Sequence, residues 1–120
     1  MTPSEIIKAD IEKQGLDPVK FGKIIMYMLK NKLALLLNKN QSVLLLKQLG
    51  DGDVESHLFT QDPPLTLFKS LQYFIEKIRS SEVRSIYGKA TNPQIIDALK
   101  RLGVTVEQSD REEYNWKATV

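Results

Sequence analysis

Two short, largely apolar runs constrain the fold of this chain more than any other feature. They are Leu33–Leu37 and Ser42–Leu46, and the polar stretch Asn38–Gln41 separates them. Each run is too short for a helix, and neither alternates between apolar and polar residues, which is typical of strands covered on both faces. The runs therefore predict a buried hairpin, although leucine by itself favours helices.

Two helices are predicted before this hairpin. Thr2, Pro3 and Glu5 match a capping box with proline at the first helical position. The second helix is predicted at 18–30, because its apolar residues recur at the spacing of one buried helical face. The residues of that face are Phe21, Ile24, Ile25, Met28 and Leu29.

The remainder of the chain predicts further strands and helices in alternation. Gly50–Asp53 is a turn signal, and it lacks the 12-residue ligand pattern of a calcium loop. The later elements are a strand at 54–60, a helix at 65–80, a strand at 83–87, a helix from Asn92-Pro93 to Gly103, and strands at 104–106 and 114–120. The order ααβββαβαββ predicts an α/β (α+β) fold with a mixed, mostly antiparallel sheet flanked by helices. Residues 1–31 would form a helical pair, and residues 32–120 the sheet with two further helices.

Composition narrows the class of protein. With 120 residues, 42% of them hydrophobic, the chain is expected to be one cytoplasmic domain, since no apolar run could span a bilayer and the first residues do not resemble a signal peptide. It has no cysteine and one histidine, so neither a disulfide nor a metal site is expected. The net charge is +2, with basic and acidic residues interspersed. The basic groups available to nucleic acid are Lys20, Lys23, Lys30, Lys32 and Lys39, or the pair Lys100 and Arg101.

The C-terminal part of the chain resembles a known family. The strand Val83–Tyr87, the asparagine-led helix from Asn92 and the turn at Gly103-Val104 resemble the corresponding elements of the GCN5-related N-acetyltransferases (GNAT). A weaker likeness covers residues 33–82. The resemblance implies a GNAT-like fold, and acetyl-CoA as the cofactor of the active members.

The resemblance also implies that the cofactor site is degenerate. In active members, the acetyl-CoA pyrophosphate binds main-chain N–H groups in a glycine-containing turn at the start of the central helix. The corresponding stretch here is Gln61, Asp62, Pro63, Pro64, Leu65 and Thr66. It contains no glycine, its two prolines lack N–H groups, and its aspartate would repel a phosphate. No bound cofactor is therefore expected.

Catalytic residues are not expected either. The position of the acid tyrosine that many family members carry corresponds to Leu99, which cannot transfer a proton. If the protein is nevertheless an active enzyme, the base is Glu55 or His57 and the acid is Tyr87 or Tyr114. In the absence of catalysis, all four are structural or surface residues.

The sequence favours a non-catalytic, GNAT-like interaction protein with a protein partner. Small divergent proteins of this shape occur in tailed bacteriophages, so the resemblance implies a virion-associated or accessory protein, located in the host cytoplasm or the virion. The expected binding surface is the helical pair Glu5–Asn31, together with a sheet edge left open because the family's usual first strand is missing. A divergent acyl-CoA-dependent N-acetyltransferase is the alternative, and a nucleic-acid-binding accessory protein is the second. The oligomeric state stays open.

Overall fold

The computed structural model describes residues 1–120, which form four helices and one six-stranded sheet. The helices are α1 (Pro3–Lys13), α2 (Pro18–Lys30), α3 (Pro64–Arg79) and α4 (Pro93–Arg101). The strands are β1 (Ala34–Lys39), β2 (Ser42–Gly50), β3 (Asp53–Thr60), β4 (Ser85–Gly88), β5 (Thr105–Gln108) and β6 (Trp116–Thr119). The predicted α+β class and the chain order of the elements are confirmed.

The sheet has the strand order β1-β2-β3-β4-β6-β5. All neighbouring strands are antiparallel except β3 and β4, which are parallel and joined by the crossover through α3. A parallel pair requires such a long connection, because its strands must begin at the same end of the sheet. The sheet is therefore mixed and mostly antiparallel, with β1 and β5 at its two edges.

Local capping explains where the first two helices begin. The Thr2 hydroxyl accepts the N–H of Glu5, and the Glu5 carboxylate accepts the N–H of Thr2, so the capping box is confirmed. In the same way, Oδ1 of Asp17 accepts the N–H of Val19 at the start of α2. These side chains satisfy N–H groups that have no partner within the helix.

Two apolar clusters cover the two faces of the sheet. One face packs against α1 and α2, with Ile6, Ile11, Ile25, Val43, Leu45 and Phe59 among its buried residues. The other face packs against α3 and α4, with Leu44, Leu46, Phe74, Ile75, Ile86 and Leu99 among them. Because β2 supplies residues alternately to both clusters, Ser42–Leu46 is buried throughout, which confirms the two-sided burial predicted for this run. The same prediction for Leu33–Leu37 is wrong, because β1 is an edge strand and Leu33 and Leu35 are exposed.

Several boundaries differ from the predictions. The hairpin turn is only two residues, Asn40 and Gln41, because the left-handed φ of 52° at Asn40 allows a tight reversal. The last strand begins at Trp116, so Tyr114 lies in the preceding loop rather than in the strand. In α4, Leu99 is buried, and Ile95, Ala98 and Leu102 pack against the same cluster.

None of the four helices combines the length and the apolar composition needed to cross a membrane.

Candidate functional site

A cleft opens where the parallel strands stop pairing. β3 and β4 pair over only three residues, from Asp53↔Ser85 to Glu55↔Tyr87. β3 then continues to Thr60, whereas β4 ends at Gly88 and the chain turns away into α4. The resulting cleft has a volume of about 800 Å³, and its lining includes Glu55, His57, Gly88, Asn92 and Trp116. A cleft of this size is in the range that accommodates small-molecule ligands.

Glu55, His57 and Tyr114 form a hydrogen-bonded cluster beside this cleft, which we call the Glu55 cluster. The Tyr114 hydroxyl donates to Oε1 of Glu55 over 2.7 Å, and Nε2 of His57 lies 2.8 Å from Oε2. Both oxygens of Glu55 are thus occupied. Glu55 and His57 share one face of β3, whereas Tyr114 reaches them from the β5–β6 loop.

The cluster keeps Glu55 ionised and Tyr114 neutral. Burial alone would raise the pKa of Glu55, but the hydrogen bonds from Tyr114 and His57 bring it below its ordinary value. Burial and the hydrogen bond to Glu55 raise the pKa of Tyr114 to about 12. The phenol of Tyr114 therefore keeps its proton, which it shares in a hydrogen bond with the Glu55 carboxylate instead of offering it to a leaving group.

Tyr87 belongs to a second network that the β5–β6 loop makes on the same face of the sheet. Its ring is buried and lies 5.5 Å from that of Tyr114, and its hydroxyl donates to Asp110 over 2.7 Å. The hydrogen bond from Tyr87 lowers the pKa of Asp110. The guanidinium of Arg111 lies over the Tyr87 ring and is 2.8 Å from Asp53. The loop is thereby fastened to β3 and β4.

The structure thus brings together all four residues proposed for the enzymatic alternative. Glu55, His57 and Tyr114 are directly connected, and Tyr87 lies next to Tyr114. Sequence reasoning missed Asp53, Asp110 and Arg111, which hold the loop over these residues. The polar composition of the loop gave no signal for these pairings, because each joins residues far apart in the chain.

The turn between β3 and α3 is held closed by Asp62. Oδ1 of Asp62 accepts the N–H of Gln41 over 3.0 Å, and Oδ2 lies 2.6 Å from the Ser42 hydroxyl and 3.0 Å from that of Ser70. The side chains of both serines are buried. Asp62 therefore joins the β1–β2 hairpin to α3, a structural role that was not predicted.

Few N–H groups of this turn are free for a ligand. Gln61 donates its N–H to the Gln41 carbonyl, Asp62 donates its N–H to the Thr60 hydroxyl, and Pro63 and Pro64 have none. Only Leu65 and Thr66, at the start of α3, donate no main-chain N–H within the protein. The side-chain nitrogen of Gln61 is buried without a hydrogen-bond partner. Leu99, at the position of the family's acid tyrosine, packs in the core.

A second candidate site is the segment made of α2, its two flanking loops and β1, where most of the exposed large hydrophobic side chains lie. Of nine exposed large hydrophobic side chains, seven lie between residues 16 and 35; they are Leu16, Val19, Ile24, Met26, Tyr27, Leu33 and Leu35. Only Ile25 of α2 is buried. We call these seven residues the α2–β1 surface. Ile24 was predicted to face the core but is 47% exposed.

No group of three or more histidine, cysteine, aspartate or glutamate side chains is placed to hold a metal ion.

No family model, no curated protein and no solved structure matches this chain.

Proposed function

We propose that this protein is a non-catalytic, GNAT-like interaction protein that binds a protein partner through the α2–β1 surface. The observation that carries the proposal is the exposure of seven large apolar side chains in α2, in the two loops that flank it and in the edge strand β1. A helix that is apolar on more than one side is normally buried on more than one side. Here α1 and the sheet cover only the side that contains Ile25.

The β3–α3 turn supports a role without a cofactor. A pyrophosphate site at a helix start needs several converging N–H donors. In this turn the N–H groups of Gln61 and Asp62 are already used, and two prolines supply none. The Asp62 carboxylate, which would repel a phosphate, cannot leave without breaking its three hydrogen bonds.

The GNAT-like assignment is supported by the order of the elements. Two helices, a three-stranded antiparallel meander, and a helical crossover to a parallel strand follow one another as the resemblance implies. Under this assignment, a virion-associated or accessory role in a tailed bacteriophage is the setting we propose. Genes for capsid or tail proteins beside the coding sequence would support that setting.

Thermal unfolding with acetyl-CoA tests the proposal. A ligand at about 100 times its dissociation constant stabilises a protein by roughly 2.7 kcal/mol. We expect the melting temperature in millimolar acetyl-CoA or CoA to equal the melting temperature in millimolar AMP, which serves as an anionic control. A rise of several degrees with acetyl-CoA alone would contradict the proposal.

The Glu55 cluster favours a second candidate, a divergent acyl-CoA-dependent N-acetyltransferase. With Nε2 of His57 donating to Glu55, Nδ1 would be the ring nitrogen able to accept a proton, so His57 would be the base and Glu55 would orient it. Both tyrosine hydroxyls already donate to carboxylates, which leaves this candidate without a free acid. Acetyl transfer to amines that His57→Gln abolishes and Lys69→Gln retains would establish it.

A further inference from the structure

The outer edge of β1 has unpaired main-chain groups. Lys39 and Ser42 close the two-residue turn with β2, and antiparallel pairing alternates bonded and non-bonded residues along a strand. Counting back from Lys39, the N–H and C=O groups of Ala34, Leu36 and Asn38 point away from β2. They form a row of donors and acceptors on which another strand could pair.

Charge is distributed very unevenly around this edge. Residues 18–50 contain six lysines and no aspartate or glutamate, so basic and acidic residues are not interspersed here. Lys32 and Lys39 stand at the two ends of β1, and both are exposed. Asp62 approaches the Lys39 end, but both of its oxygens accept hydrogen bonds within the fold. An acidic partner would therefore meet lysines with no competing carboxylate on the strand.

A second copy of this chain fits the edge poorly. Two copies of β1 related by a two-fold axis would pair antiparallel. Lys39 of each copy would then lie beside the start of the other β1, close to Lys32. Like charges placed next to each other across strands are destabilising, and no acidic residue of β1 or α2 would offset them.

The apolar residues beside the edge favour a polypeptide over a nucleic acid or a lipid surface. Leu33 and Leu35 are 43% and 48% exposed, between the two lysines. The phosphates of a nucleic acid would make no favourable contact with these leucines. A lipid surface cannot form hydrogen bonds with the alternating N–H and C=O groups of the edge. An extended peptide satisfies the backbone edge, covers the leucines and places its own charges at either end.

We propose that β1 binds an extended acidic segment of the partner protein as an additional strand. The proposal rests on the interaction function proposed above and specifies the chemistry of the partner. Ala34, Leu36 and Asn38 supply the backbone pairing, and Lys32 and Lys39 select carboxylates at the ends of the segment.

Amide NMR of the whole protein with three end-blocked peptides tests the proposal. The first has a Val-Thr-Val-Thr-Val core flanked by two glutamates on each side, the second has lysine flanks, and the third has glutamate flanks and an N-methylated core. We expect only the first to shift the amides of Ala34, Leu36 and Asn38 and to slow their hydrogen exchange. The amides of β5, at the opposite edge of the sheet, should not respond. That edge carries Glu107, which would repel the glutamates of the first peptide.

Charge reversal provides the matched control. Lys32→Glu combined with Lys39→Glu is expected to weaken binding of the first peptide by about tenfold or more, because two attractive contacts become repulsive. Lys69→Glu combined with Lys100→Glu makes the same change in net charge on α3 and α4, and should leave the affinity unchanged.

The outcomes distinguish this inference from the proposed function. Equal binding of the lysine-flanked or the N-methylated peptide, or no binding by the first, would overturn the acidic-strand inference. So would binding of poly-dT or phosphatidylserine vesicles to these residues without peptide binding. None of these results would alter the response to acetyl-CoA, on which the non-catalytic assignment depends.

Discussion

The Tyr114 hydroxyl donates a 2.7 Å hydrogen bond to Glu55, although the two residues are 59 positions apart in the chain. This bond joins the β5–β6 loop to the central strand β3, beside the end of the parallel pairing with β4. It also lowers the pKa of Glu55 and, together with burial, raises the pKa of Tyr114.

Tyr114→Phe is expected to lower the free energy of unfolding by about 1–3 kcal/mol, because it leaves Oε1 of the Glu55 carboxylate without its donor, while His57 still contacts Oε2. Urea denaturation measures the change. Tyr27→Phe is the control, since the Tyr27 side chain is exposed and its hydroxyl makes no hydrogen bond. Spectrophotometric titration should also lose a phenol that ionises near pH 12 in the wild type. Equal stability of the two variants would show that the bond adds nothing.

Acid is expected to destabilise the fold partly through Glu55, whose pKa is lowered in the folded protein. A group of this kind contributes stability that is present above the pKa of the unfolded chain and is lost as pH falls through the folded value. Between about pH 5 and pH 3, the unfolding free energy of the wild type should therefore fall more steeply than that of Glu55→Gln. Urea titrations at each pH give the two slopes. Glu12→Gln, at an exposed site, should keep the wild-type slope, and parallel curves for all three proteins would refute the prediction.

Asp62→Asn is expected to destabilise the protein by about 1–3 kcal/mol, because an amide nitrogen would replace an acceptor of buried hydrogen bonds from Gln41, Ser42 or Ser70. The matched control is Asp51→Asn in the exposed β2–β3 turn, whose side chain makes no hydrogen bond and whose left-handed φ of 55° asparagine tolerates. Chemical denaturation compares the two. If Asp62→Asn retained full stability and gained affinity for acetyl-CoA, the turn would be a cofactor site after all.

Two glycine substitutions should have opposite effects. At Gly88 a Cβ would overlap the Trp116 ring, so Gly88→Ala must displace a large side chain and should cost about 1–3 kcal/mol or more. At Gly22, inside α2, a Cβ meets nothing within 4 Å, and alanine should stabilise the helix by about 0.5–1 kcal/mol. Melting temperatures measured side by side check both signs. A neutral Gly88→Ala would mean that Trp116 is free to move.

Local sequence was sufficient for the helices and the hairpin. The capping box at Thr2, the aspartate before Pro18 and the apolar runs around Asn40 each depend on residues only a few positions apart. Their physical cause, a satisfied helix end or a tight turn between two short apolar strands, is therefore visible in the chain itself. The acid-free stretch at 18–50 is equally visible in the sequence, and only the structure shows that it surrounds an unpaired sheet edge.

The arrangement of the Glu55 cluster and of the β3–α3 turn became visible only in the tertiary structure. Alternation at 114–120 placed Tyr114 in the last strand on one face with Trp116, whereas the loop carries it to the opposite face, beside Glu55. From the sequence, Asp62 was expected only to repel a phosphate. In the structure its carboxylate accepts hydrogen bonds from two serine hydroxyls and one main-chain N–H. Caps and periodicities arise between neighbours in the chain. Pairings such as Glu55 with Tyr114 exist only after the strands between them have found their order in the sheet, so no local pattern encodes them.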